Sequence, residues 1–145
     1  MLTRGHCSLL PAHPTSASAA REQVTRSLEE WGCQALTDSA QLIISELVGN
    51  SVKAVAGYVS DDVGARCGMV AGCVEVIRVG CYQSHTTVVL EVWDSSRKPP
   101  KLINAGEDDV GGRGLQLIAA LASSWGYRWL KPGGKVTWAA LDVTP

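Results

Sequence analysis

The spacing of apolar positions changes several times along this chain, and each change marks an element. "HCSLLPA" alternates weakly from His6 and stops at a proline, the pattern of a short first strand. From Pro14 to Glu30, "PTSASAAREQVTRSLEE" is rich in helix formers behind a Thr or Ser suited to cap them. "WGCQAL" turns about Gly32. A second helix then starts from a cap at Asp38 and runs to near Gly57, with Leu42, Ile43, Leu47, Val52 and Val55 as a broad core-facing stripe.

After the loop-like "DDVGARCGMVAG" come two runs rich in β-branched residues, "CVEVIRVGCYQ" and "TTVVLEVWD", parted by "SH". They predict an antiparallel hairpin. "SSRKPPKLINAGEDDVGG" is long, polar and irregular, and connections of that length in a small domain commonly serve as lids. The expected lid is residues 95–111. Helical periodicity returns in "RGLQLIAALASS", and "WGYRWLKPGGKVTWAALDV" closes the chain as a second hairpin turning at Pro132–Gly134. Strand, two helices, two strands, lid, helix and two strands give an α+β architecture. The expectation is one domain over residues 1–145, a mixed or antiparallel sheet covered on one face by helices.

Composition narrows the function classes. With 145 residues, 46% hydrophobic and 19% charged, the chain can bury a real core. Its formal net charge is -1 and no run of Lys or Arg stands out, which argues against a nucleic-acid partner. Five cysteines form no C-x-x-C pair and three histidines form no ligand spacing, so neither a disulfide framework nor a zinc site is expected. The apolar run near the start is short and broken by prolines, and no stretch approaches a membrane span. A cytoplasmic protein without a membrane segment is the expectation.

Three stretches hold candidate chemistry. In "SELVGNSVKA", Glu46, Asn50 and Lys53 interrupt an apolar helix at spacings of four and three, which stacks them on one face. An amide oxygen is a hard ligand suited to Mg2+, and a nearby carboxylate can orient or deprotonate a hydroxyl. Taken alone, the stripe is better explained as a solvated helix face. In "VVLEVWDSSRKPP", Asp94 ends an apolar strand, where a carboxylate can accept from an exocyclic base amine, with small residues beside it for a planar ring. Alone, an Asp opening a polar turn is the simpler reading. In "DVGGRGLQL", glycines directly before a helix let backbone approach a phosphate at the helix N-terminus, though they also mark ordinary turns. "KPGGKV" has the look of a Walker A ending, but Gly126 is too far upstream and Val136 replaces the Ser/Thr, so a hairpin turn explains it better.

In combination the three are far more specific. Helix, strand-end Asp and Gly-rich helix start, in that order, resemble the nucleotide-binding boxes of the GHKL ATPase superfamily of gyrase, heat-shock chaperones, histidine kinases and mismatch-repair ATPases. Within it the chain is most similar to the small anti-sigma-factor serine/threonine kinases. "SASAAREQVTRSLEEWG" looks like their first helix, and "SELVGNSVKA" like their E-L-V-x-N-A-V-x-H. "VWDSSRKPP" is similar to their V-x-D-x-[GS]-x-x-P-P, "GGRGLQLIAALASSWGYR" to their G-R-G-L-x-L-V-x-x-L-A-x-x-W-G, and "GGKVTWAAL" to their last strand.

The resemblance implies a histidine-kinase-like two-layer sandwich that binds ATP and Mg2+. It implies that Asn50 coordinates Mg2+, that Glu46 is the catalytic carboxylate, and that Lys53 belongs to the same cofactor-binding face. Asp94 would read the adenine amine with Ser96 at the small position beside it. Gly112 and Gly114 would bring backbone to the phosphates, and Arg113 would add positive charge. The implied partners are a sigma factor or an antagonist protein phosphorylated on serine, with a twin subunit as a further expectation. Ala54 stands where the family usually has His, Gly49 where Thr is frequent, and Ser51 in place of Ala. The alternative is therefore a non-catalytic, nucleotide-gated protein-binding module. A third reading, an interaction protein that has lost nucleotide binding, requires three polar sites to fall in family order by chance.

Overall fold

The computed structural model describes residues 4–60, 75–96 and 113–143. Of the expected lid, only Ser95 and Ser96 are among them; residues 97–111, and Gly112 after them, lie outside the described residues. The elements are β1 (Arg4–Pro11), α1 (Ser16–Glu30), α2 (Thr37–Ser60), β2 (Val76–Ser84), β3 (Thr87–Asp94), α3 (Arg113–Leu121), β4 (Ser124–Trp129) and β5 (Lys135–Asp142), with one 3-10 turn at Gln34–Leu36. The strands form one sheet in the order β1-β2-β3-β5-β4, and every pairing is antiparallel. The expected α+β sandwich is present, and the open choice between a mixed and an antiparallel sheet resolves to antiparallel.

Residues directly opposed in an antiparallel ladder share a face, so the register assigns every strand position. Val88, Leu90, Val92 and Asp94 of β3 sit opposite Leu141, Ala139, Thr137 and Lys135 of β5. All eight are buried. Ile77, Val79 and Cys81 continue that face on β2. Burial, with the nearby Cys33 thiol adding to it, pushes the Cys81 thiol up to about 12, so it is a neutral apolar group of the core.

α1 contributes Ala20, Val24, Ser27 and Leu28 to the interface, a three-four spacing that puts one stripe on the sheet. α2 contributes Ala40, Ile43, Ile44, Leu47, Val48, Val52 and Val55. Leu42, expected in that stripe, is half exposed instead, because it lies between the buried rows at 40 and 43–44 and points off their arc. α3 adds Leu115 and Ile118.

The helix starts differ from expectation. α2 begins at Thr37, so Asp38 lies inside the first turn, where its charge favours the helix dipole, and does not occupy the cap position. Thr15 does stand at the α1 N-cap, but its hydroxyl engages His13 Nδ1 at 2.9 Å and caps no helical N–H. Chain entry is fixed instead by Ser16, whose hydroxyl donates to the Pro11 carbonyl at 2.6 Å.

Candidate functional site

Two groups of polar side chains stand on the helix-covered side of the sheet. The first lies on α2, which packs across β3. Glu46 and Asn50 are half-buried beside the apolar stripe, and Lys53, a turn further on, is exposed. Among the described residues none of the three forms a hydrogen bond or ion pair. The Asn50 Nδ2 atom is nevertheless buried without a hydrogen-bond partner, and so is the hydroxyl of the adjacent Ser51. A buried polar group left unpaired costs free energy, and each of these atoms is a hydrogen-bonding position that no described residue fills.

The second group sits where β3 ends. Asp94 is fully buried, and its carboxylate accepts three hydrogen bonds from two groups. The Ser96 N–H donates to Oδ1 at 2.9 Å, closing a local turn that fixes the carboxylate plane. Lys135 Nζ, itself on a residue 2% exposed, donates to Oδ1 at 2.8 Å and to Oδ2 at 2.9 Å. The two residues are direct cross-strand partners. Ser96 is buried beside them.

A glycine makes this join possible. A Cβ at Gly134 would lie 2.2 Å from the Asp94 carbonyl oxygen and 2.8 Å from Trp93 Nε1, and the residue has φ +83°. Only glycine allows the turn before β5 to pass so close to the end of β3. The "PGG" that reads in the sequence as a hairpin turn is one, with Leu130 and Gly133 amides bonding across it, and it also seats Lys135 against Asp94.

Glu46 and Asn50 therefore share a helix face, Asp94 and Ser96 share the end of β3, and the helix and the strand that carry them pack against each other. Arg113 and Gly114 open α3, which packs beside α2. Gly112 lies outside the described residues. Lys135 is the member of this strand-end group that sequence reasoning missed. Its signal was a lysine in phase with Thr137, Ala139 and Leu141, a place where a charge needs a buried counterion.

Chemically, the first group offers an unengaged carboxylate and an amide, and the second a preorganised acceptor. Among the described residues no helix is long and apolar enough to cross a membrane, and no cluster of three or more His, Cys, Asp or Glu side chains is placed to hold a metal. No curated protein matches the chain. The family model described as "histidine kinase-like ATPase domain" matches residues 10–141, from the end of β1 to the penultimate residue of β5. A match of that length, over elements in the expected order, establishes membership: the chain belongs to the histidine kinase-like ATPase domain family, which implies that it binds ATP.

Proposed function

We propose that this chain is a regulatory, ATP-dependent serine/threonine protein kinase of the anti-sigma-factor type, acting on an antagonist protein or holding a sigma factor. The observation that carries the reading is the Glu46–Asn50 face: a carboxylate and a buried amide atom four residues apart, neither engaged by any described residue. Structural side chains at such positions normally find protein partners. Groups reserved for a ligand do not.

In this reading Asn50 would offer its amide oxygen to Mg2+, a hard cation that would supply charge neutralisation at phosphate, and its buried Nδ2 N–H would donate to a ligand oxygen. Asp94 accepts from the adenine amine, with Ser96 leaving room for the ring. The N-terminus of α3, at Arg113 and Gly114, would offer backbone N–H groups to phosphate, a role the family resemblance also gives to Gly112. Lys53 lends a positive charge from the same α2 face. Glu46 orients the acceptor serine and takes its proton as the oxygen attacks the γ-phosphorus. The bond to the β-phosphate oxygen breaks, and ADP leaves. Positioning and charge carry most of phosphoryl transfer, so a small domain suffices.

A specific residue supports a second reading. At Ala54, one turn beyond Asn50, a half-buried methyl stands where the resembled kinases carry an imidazole. A nucleotide-gated binding module, in which ATP only changes a docking face, needs no such group.

The test is transfer of radiolabelled γ-phosphate from Mg-ATP to a candidate antagonist, by the native chain and by Glu46→Gln. The expected result is labelling that falls by about 10²–10⁴ in the variant while ATP affinity holds. Tight ATP binding without labelling of any serine-bearing partner by the native chain overturns the kinase in favour of the module.

A further inference from the structure

We infer that Lys135 is the second half of the base reader: its ammonium donates to N1 of a 6-aminopurine while Asp94 accepts from the 6-amino group. The inference rests on the ATP-binding reading above and adds a residue and a specificity rule to it.

The geometry of the pair is the starting point. An ammonium has three N–H donors, and Lys135 spends two on Asp94, one to each oxygen. A carboxylate has about four acceptor positions, of which Asp94 has filled three, two by Lys135 and one by the Ser96 N–H. One donor on Nζ and one acceptor on Oδ2 are left, on atoms 2.9 Å apart. The edge of adenine offers the complement, an N6–H donor next to the N1 acceptor. The free ends of the pair and the edge of the base thus match group for group. Set against Asp94 by its exocyclic group, guanine would turn its O6 acceptor toward the carboxylate, which rejects it.

Three further facts favour a reading role over plain charge neutralisation. Lys135 and Asp94 are direct cross-strand partners on the face of the sheet that the helices cover, the face to which the reading above assigns the base. Both are buried, and removal from water strengthens the discrimination a hydrogen bond gives. The lysine is also held by construction: Gly134 brings β5 against the Asp94 carbonyl, and Asp94 in turn is fixed by the Ser96 amide. A neutralising lysine needs only to be near. This one is placed in register with the carboxylate.

The test compares ATP with 1-deaza-ATP, which keeps the 6-amino group but has carbon in place of N1, by calorimetry on the full chain with Mg2+. The native chain is expected to bind 1-deaza-ATP about tenfold or more weakly, the size of a hydrogen bond to a charged group. Lys135→Met is expected to lose about the same factor for ATP and to bind the two nucleotides within about twofold of each other. Equal binding of ATP and 1-deaza-ATP by the native chain overturns the inference while leaving ATP binding intact. Tighter ATP binding by Lys135→Met also overturns it, because the ammonium would then compete with the base for Asp94. Failure of the native chain to bind either nucleotide overturns the ATP reading, and the inference falls with it. The comparison on the native chain needs no variant, so poor folding of Lys135→Met leaves the test decisive.

Discussion

The strand-end part of the site and the helix part are built on opposite principles. At the end of β3 the carboxylate of Asp94 is fully buried and engaged by Lys135 and the Ser96 amide. On α2 a half-buried Glu46 and Asn50 stand without a partner among the described residues. The first arrangement is set before any ligand arrives and holds its shape through its own bonds. The second leaves a carboxylate half open to water and an amide Nδ2 buried but unfilled, and under the proposed function a ligand supplies the missing partners. A reader of base identity profits from rigidity, since discrimination comes from what cannot adjust. Groups that handle phosphate and a moving proton profit from being left unengaged.

The largest effect that would break this contrast is at the buried pair. Removing one member of an isolated buried ion pair costs about 3–5 kcal/mol, because the other charge stays behind. Lys135→Met is expected to lower unfolding free energy by that amount, read from urea melts. The double variant Asp94→Asn with Lys135→Met is expected to recover about 1–3 kcal/mol of it, the coupling of residues in direct contact. A loss below about 1 kcal/mol in the single variant would put the pair in the class of hydrated surface bridges, and the strand end would no longer differ from the helix face.

Two glycines sharpen the same contrast at smaller size. Gly134 has φ +83° and no room for a Cβ beside Asp94, so Gly134→Ala is expected to destabilise by about 2 kcal/mol and to weaken ATP binding with it. Gly49, inside α2 and next to Asn50, would meet nothing within 4 Å. Gly49→Ala is expected to stabilise by about 1 kcal/mol, the helix-propensity difference, with the melting temperature rising accordingly. Opposite signs at the two positions would confirm a tight strand end and a loose helix face. A destabilising Gly49→Ala would show that α2 is packed on that side as well.

What the sequence made legible follows the same division. The polar residues of α2 were visible because helical spacing is local: Glu46, Asn50 and Lys53 are close in the chain, and the apolar residues around them fix the face. Both hairpins were visible for the same reason, since β2 with β3 and β4 with β5 are joined by short turns. The pairing of β3 with β5 is non-local, with α3 and β4 between them in the chain, and no local pattern states it. β5 is moreover buried in both phases, so alternation did not reveal which of its side chains face the helices. Lys135 was hidden on both counts, at the foot of a turn whose glycines already had an explanation. The His6 cluster was hidden likewise: its ring bonds Ser27 at 2.7 Å, lies 3.2 Å from Glu30 and stacks on Trp31, contacts between β1 and α1 that no spacing predicts.

The smallest effect is the most direct test of the unengaged face. Asn50 pays for its position twice, through a buried Nδ2 without a partner and through a helix propensity below that of alanine. Asn50→Ala removes both penalties, so the empty protein is expected to be as stable as the native one or more so, by up to about 1 kcal/mol in a urea melt. Under the proposed function the same variant is expected to lose the Mg2+-dependent part of its ATP affinity, because the oxygen proposed to meet the metal is gone. Stability and ligand binding then move in opposite directions on one substitution, which is the mark of a residue kept for its ligand and not for the fold. If Asn50→Ala instead loses more than about 1 kcal/mol of stability, the amide has a structural partner in solution. The helix face would then be as self-contained as the strand end, and the case for a ligand there would have to rest on Glu46 alone.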